Sequence, residues 1–234
     1  MKISNAVFVF ILLIVSSAAA DEFKVPYEIV KGKVKTLGYV LEPKKALTEE
    51  HVDFDKFYDK SPDGRWIAIV FCDYDYNVNV WLYDAQSKAR PSLIDTDAGR
   101  HVFIRWYGKD VLEVGWGGMG YRMSDLFELN NLRKKTHIDD PIYIDNERKI
   151  YVRYYFNYDG PGGSVQHHIV VGPAFSTIAK EEHFVVHLDI ESLVDGVTSF
   201  ENIEIKNDTL IVKYKKRDKS LVREEFRPQL LQKR

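Results

Sequence analysis

Four histidines, His167, His168, His183 and His187, stand close together in the sequence and could bind a metal. Imidazole nitrogens are common ligands of zinc and copper. If His183 and His187 lie on one strand they share a face, but at about 3.3 Å per residue they stand about 13 Å apart. That is too far for one ion. A site pairing His168 with His183 or His187 across two strands stays open.

Two aspartates could supply acidic ligands or an acid–base pair. Asp73 and Asp75 alternate with tyrosines, so both carboxylates would lie on one face of a strand. Paired carboxylates at a suitable separation cleave glycosides, and they also bind cations. The simpler interpretation is a polar loop. A metal-dependent enzyme or carbohydrate-binding protein, using the region 167–187 with these aspartates, is therefore the alternative function. For the main hypothesis, developed below, we expect no metal or other cofactor.

Nucleophilic catalysis finds no support in the sequence. Cys72 is the only cysteine and has no histidine next to it in the chain. Ser164 follows Gly163 but lacks the strand–turn–helix context of a nucleophile elbow, and the G-x-S-x-G motif is absent. We therefore do not expect an enzyme.

Aromatic side chains favour protein recognition instead, because tyrosine and tryptophan often anchor interfaces. In the run 151–158 the side chains alternate, and the face of Tyr151, Arg153 and Tyr155 is the one expected to be exposed. Two glycine-rich segments, 115–120 and 159–163, are expected to form flexible hairpin tips, where binding residues often lie. The candidate binding residues in or near these segments are Trp116, Tyr121, Tyr151, Tyr155 and Tyr158.

The elements that would position these residues are strands. Aromatic, valine and isoleucine residues fall in short runs broken by turn residues, and helical periodicity is scarce apart from a short helix predicted after Thr48. This pattern predicts an all-β fold of antiparallel sheets. The predicted strands are 66–72, 78–83, 102–107, 111–116, 150–156, 165–171, 184–190 and 210–214.

A weak internal repeat organises these strands. An apolar or aromatic segment runs into a polar turn and out into a strand four times, with the second strands beginning near Trp66, Val111, Ile150 and Leu210. The copies are roughly 40 to 60 residues apart, as expected for modules of four strands. The sequence therefore predicts a single all-β domain over residues 21–234, built from about four hairpin modules.

The first copy carries a family resemblance. Its turn Ser61-Pro62-Asp63-Gly64, the strand from Trp66, and the segment Val80-Trp81-Leu82-Tyr83-Asp84 resemble one blade of the TolB-type or WD40-like propeller repeat. The resemblance covers about 45 residues and implies a small or incomplete β-propeller. A β-sandwich is the alternative fold, since it has similar strand patterns.

The N-terminus is typical of an export signal. Lys2 precedes an apolar run at 6–15, and small residues end at Ala20, which predicts a signal peptide over residues 1–20. The apolar run is shorter than the roughly 20 residues that span a bilayer, so stable membrane insertion is not expected. The formal net charge of −2, with both signs interspersed, argues against a nucleic-acid partner.

These observations combine into one functional hypothesis. The chain is expected to be a periplasmic or secreted, non-catalytic domain that binds another envelope or secreted protein. A more specific version is an immunity or inhibitor-type protein.

Overall fold

The computed structural model describes residues 27–48, 58–72, 78–95, 102–118, 121–132, 135–157, 165–176, 180–188, 200–216 and 218–232. Nearly all of their regular structure is β. The elements are β1 (Tyr27–Val30), β2 (Lys33–Thr36), β3 (Tyr39–Leu41), β4 (Tyr58–Lys60), β5 (Trp66–Cys72), β6 (Val78–Asp84), β7 (Ser92–Asp95), β8 (Phe103–Tyr107), β9 (Val111–Gly118), β10 (Tyr121–Glu128), β11 (Lys135–Asp139), β12 (Pro141–Asp145), β13 (Ile150–Asn157), β14 (Gln166–Pro173), β15 (Glu182–Val186), β16 (Phe200–Lys206), β17 (Thr209–Lys215), β18 (Leu221–Phe226) and the short helix α1 (Gln229–Gln232).

Within these residues the strands form five antiparallel sheets, and each sheet is a meander of consecutive strands. We number them in chain order: sheet 1 is β1–β3, sheet 2 is β4–β7, sheet 3 is β8–β11, sheet 4 is β12–β15 and sheet 5 is β16–β18. Two-residue turns connect β1 to β2 at 31–32, β2 to β3 at 37–38 and β16 to β17 at 207–208, as is usual for antiparallel pairs.

The turn before β5 shows how local chemistry sets a hairpin. Gly64 has a φ of +72°, which the side chain of an L residue resists, and its N–H donates to the carbonyl of Ser61. The Ser61 hydroxyl donates to Asp63 and also accepts the N–H of Trp66. Glycine at positive φ and the two hydrogen bonds of the Ser61 hydroxyl therefore define the turn that leads into β5.

Consecutive sheets pack face to face in chain order. Four clusters of buried side chains join sheet 1 to sheet 2, sheet 2 to sheet 3, sheet 3 to sheet 4 and sheet 4 to sheet 5. In β5, Ile67 and Ile69 face sheet 1 whereas Ala68 and Val70 face sheet 3. Because both faces of such a strand are covered, its sequence is a continuous apolar run rather than an alternation.

This arrangement confirms the predicted fold class. The described chain is all-β, and successive meander sheets stacked through shared cores are the arrangement of propeller blades, unlike the two facing sheets of a sandwich. The four repeated hairpins of the sequence are the first two strands of sheets 2 to 5. Sheet 1 was not expected.

One expectation about the loops was wrong. Residues Gly115–Gly118 belong to β9 and are not a hairpin tip. Gly115 is needed in the strand because a Cβ there would lie 1.9 Å from the ring of Phe103, which covers it. The predicted signal peptide, most of the predicted helix after Thr48 and the segment 159–163 lie outside the described residues. In the part of the chain that the structure describes, no helix is long and apolar enough to cross a bilayer.

Candidate functional site

The candidate site lies on the face of sheet 4 that points toward sheet 3. Antiparallel pairing puts His168 of β14 directly opposite both Tyr155 of β13 and Val185 of β15. His183 lies one position along, diagonal to His168, because it pairs with Val170. We call Tyr155, His168, His183 and Val185 the aromatic-histidine face.

The three rings of this face form a triangle. The ring centroids are 6.0 Å apart for Tyr155 and His168, 6.4 Å for Tyr155 and His183, and 6.2 Å for the two histidines. Tyr155 is 40% exposed and Val185 is 49% exposed, so large apolar surfaces of both reach solvent. Such a group offers ring faces together with polar ring atoms.

A partly buried ion pair supports the triangle from one side. Arg153 donates two hydrogen bonds to Glu181, at 3.0 and 2.9 Å, and its guanidinium carbon lies 5.6 Å from the Tyr155 ring centroid. The Tyr151 hydroxyl donates to the same carboxylate at 2.6 Å. These hydrogen bonds from Arg153 and Tyr151 hold the pKa of Glu181 below its usual range. Because two parallel hydrogen bonds to one carboxylate hold the guanidinium of Arg153 in position, the guanidinium forms a fixed surface on one side of the Tyr155 ring.

His168 is the least hydrated ring of the three. Its Nδ1 atom is buried and receives no hydrogen bond from the described residues. Burial, and then the neighbouring His183, lower the pKa of His168 below its usual value. At neutral pH this ring is therefore uncharged and adds apolar surface to the face.

The sequence-predicted binding residues have different positions. Tyr155 is exposed, as expected, but Tyr151 is only 6% exposed and Trp116 only 5%. The expected exposure of Tyr151 is therefore wrong, because that end of the face packs against Val111, Leu126 and Ile138 of sheet 3. Tyr158 and the side chain of Tyr121 lie outside the described residues.

The proposed metal ligands are not brought together in the described structure. His183 and His168 are neighbours, but His187 turns away and lies 3.4 Å from Glu224 of sheet 5. His167 points into the core and hydrogen-bonds the Tyr154 hydroxyl. Asp73 and Asp75 lie outside the described residues. Among those described, no three His, Cys, Asp or Glu side chains are close enough to hold one ion.

A second polar cluster was not identified from the sequence. It lies on sheet 3, on the face opposite the one that packs toward sheet 4. Asp125, whose side chain is 1% exposed, lies 2.8 Å from His137 Nδ1 and 2.5 Å from Lys135 Nζ. His137 Nε2 lies 3.4 Å from Asp139. The alternation Lys135-x-His137-x-Asp139 on one strand was the available signal, since side chains two residues apart share a face.

No family model matches the chain, and no curated protein is detectably similar to it. Among solved structures, the chain is similar to the β-propeller domain of the Trilobed protease from Pyrococcus furiosus, which is described as having an open velcro topology. The identity is 11%, the match covers 83% of this chain and 73% of that chain, and the TM-score is 0.34. A likeness this weak carries no argument about function.

Proposed function

We propose that this protein is a non-catalytic binding protein that recognises another protein through the aromatic-histidine face. The supporting observation is an exposed tyrosine and valine on a packed sheet, backed by an arginine that a carboxylate holds in two hydrogen bonds. A few residues contribute most of the binding energy at protein interfaces, and tyrosine, tryptophan and arginine are enriched among them.

The rigidity of the face favours binding. Tyr155 and His168 are on neighbouring strands of a four-stranded sheet, and Arg153 limits the positions open to the tyrosine ring. Binding then costs less side-chain entropy than it would with a loop residue. The partner that fits is a protein presenting an apolar or aromatic side chain to the three rings.

Two finer proposals rest on the sequence. The S-P-D-G turn and its strand support a TolB-type blade, and the N-terminal pattern supports export to the periplasm or beyond. An immunity or inhibitor-type protein is the version that agrees with export and an aromatic binding surface.

Mass spectrometry of the protein from its own envelope fraction tests export and should find a chain beginning at Asp21. A chain retaining residues 1–20 would contradict export by cleavage.

Partner recovery with matched variants tests the binding proposal. Purified wild type, Tyr155→Ala and Leu93→Ala are each incubated with envelope extract of the source organism, and bound proteins are quantified by mass spectrometry. Leu93 is the control because its exposed fraction, 42%, is similar to the 40% of Tyr155. It lies on sheet 2, away from the aromatic-histidine face. One partner should be recovered by wild type and Leu93→Ala and lost with Tyr155→Ala.

Two results would overturn the proposal. Equal recovery by all three proteins would show that the aromatic-histidine face is not the binding surface. Stoichiometric metal in the purified protein that disappears on His168→Gln would instead favour the metal-dependent alternative.

A further inference from the structure

The cluster of Asp125, His137 and Asp139 on sheet 3 is a separate feature with its own chemistry. It lies on β10 and β11, on the face of sheet 3 opposite the one that packs toward sheet 4. Asp125 and His137 are directly opposite each other in the register, and Asp139 follows His137 by two residues. The aromatic-histidine face shares no residue with it.

We propose that His137 and Asp139 form a surface site for a divalent transition-metal ion such as Zn²⁺ or Cu²⁺, with Asp125 orienting the histidine. The atoms that would bind the ion are His137 Nε2 and Asp139 Oδ1, which are 3.4 Å apart. With zinc–nitrogen and zinc–oxygen bonds of about 2.1 Å at a tetrahedral angle, two ligand atoms lie about 3.4 Å apart. The pair therefore has the separation that one ion requires.

Asp125 fixes the histidine in the orientation that metal binding needs. Its Oδ1 lies 2.8 Å from His137 Nδ1, and its side chain is only 1% exposed. Lys135 Nζ, 2.5 Å from the other carboxylate oxygen, already balances the charge of Asp125. A histidine that donates its Nδ1–H to this carboxylate has the lone pair of Nε2 available for an ion. Metal-binding histidines commonly have such a carboxylate behind them.

The site is open to an incoming ion. The side chains of His137 and Asp139 are 49% and 61% exposed, and β11 is an edge strand of sheet 3. Two protein ligands leave two positions of a tetrahedral ion for water or for a ligand from another molecule. Imidazole with carboxylate is a donor set that zinc and copper accept, and copper binds more tightly in the usual order of divalent ions.

Calorimetric titration of the tag-free full chain with ZnCl₂ tests the site. Wild type should bind one Zn²⁺ per chain, and His137→Gln and Asp139→Asn should each lose that binding. Both side chains are exposed, so neither variant threatens the fold, and circular dichroism checks this. His183→Gln is the matched control, because His183 is also about half exposed and lies 3.8 Å from a glutamate. This control should bind zinc as wild type does.

Two further measurements sharpen the test. Asp125→Asn keeps an oxygen acceptor but loses the charge, and should weaken binding about 10-fold or more, as expected for the residue behind a metal-bound histidine. The Trp116 ring lies 5.8 Å from His137, so bound Cu²⁺ should quench its fluorescence, and Trp116→Phe should remove the quenched component.

Absence of zinc binding at millimolar concentration would overturn this inference, as would binding that survives His137→Gln or is lost with His183→Gln. Loss of zinc binding with His183→Gln would instead place the ion at the aromatic-histidine face, because His183 lies next to His168 there. The other two outcomes do not bear on that face, whose test is partner recovery.

Discussion

Asp140, between β11 and β12, connects sheets 3 and 4 through three hydrogen bonds. Its N–H donates to the Arg122 carbonyl, its carbonyl accepts the N–H of Tyr154, and its side-chain Oδ1 accepts the N–H of Arg122. Burial raises the pKa of Asp140 above its usual range. The charged form is therefore disfavoured in the folded state, although its oxygen is needed as an acceptor.

Asp140→Asn should accordingly be at least as stable as wild type at pH 7, whereas Asp140→Ala should lose about 1 kcal/mol with the hydrogen bond. Asparagine also tolerates the φ of +44° found here. A carboxyl with a raised folded-state pKa destabilises the fold as pH rises through the usual aspartate range toward that pKa. Any gain of the asparagine variant should thus shrink in acid. Urea unfolding at pH 7 and pH 3.5 measures the free energy of unfolding of each variant relative to wild type. An Asp140→Asn variant less stable than Asp140→Ala would contradict this account.

Glu181 has the opposite electrostatic situation, and the opposite pH dependence is expected. Arg153 and Tyr151 lower its pKa, so its stabilising effect is complete above the usual glutamate range and is lost as pH falls through the lowered pKa. Glu181→Gln should lose about 2 kcal/mol at pH 7, since Arg153 is only 16% exposed and loses a charged partner. The deficit should disappear in acid. Glu42→Gln, which breaks an exposed pair with Lys33, is the control and should change unfolding little at either pH.

At this scale the sequence predicted which side chains share a face but not which faces are covered. Alternation correctly grouped Tyr151, Arg153 and Tyr155. It could not show that sheet 3 covers one end of that face, which buries Tyr151 and leaves Tyr155 exposed. The pairing of Asp125 with His137 was equally out of reach, because register between strands depends on the hairpin between them.

Among the elements, helix α1 contributes more to the core than its length suggests. It is four residues long, yet Leu231 is 2% exposed and lies in the core between sheets 4 and 5. Glu182 of β15 accepts the N–H groups of Gln229 and Leu230 at 2.8 and 2.7 Å, which satisfies two otherwise unpaired donors. Side-chain packing and capping together attach the chain end to sheet 4.

Leu231→Ala should therefore lower the free energy of unfolding by about 2–3 kcal/mol through the cavity it leaves. Glu182→Gln should have a smaller effect in the same direction, because an amide oxygen can still accept one N–H. Gln232→Ala, at an exposed neighbouring position, is the control. Chemical denaturation gives the three values, and a Leu231→Ala variant as stable as the control would show that α1 is not part of the core.

The strands predicted best are the central ones, and burial explains why. The bounds of β5 are those predicted, and β9, β13 and β17 extend the predicted runs by two residues or fewer at either end. Both faces of these strands are covered, so they consist of long apolar runs. The strands of sheet 1 have three or four residues, with exposed positions interleaved, and gave no such signal.

At the scale of the whole molecule, the order of the sheets determines how the protein should unfold. Each consecutive pair of sheets shares one buried cluster, so an inner sheet depends on both neighbours. Repeat proteins with nearest-neighbour contacts can lose cooperativity when one interface is weakened. The cluster between sheets 2 and 3 and the cluster between sheets 4 and 5 each have eleven buried members. The cluster between sheets 1 and 2 has seven and the cluster between sheets 3 and 4 has six, so no single interface dominates.

The four tryptophans make this testable, because all lie between residues 66 and 116, in sheets 2 and 3. Leu210→Ala in sheet 5 should cost about 2–5 kcal/mol, since Leu210 is fully buried in the cluster between sheets 4 and 5. If unfolding is cooperative, as we expect, tryptophan fluorescence and circular dichroism should both shift to the same lower urea midpoint. Leu221→Ala, at a position 58% exposed in the same sheet, should leave both midpoints unchanged. A tryptophan transition that stays at the wild-type midpoint while circular dichroism shifts would show instead that sheets 4 and 5 unfold separately from sheets 2 and 3.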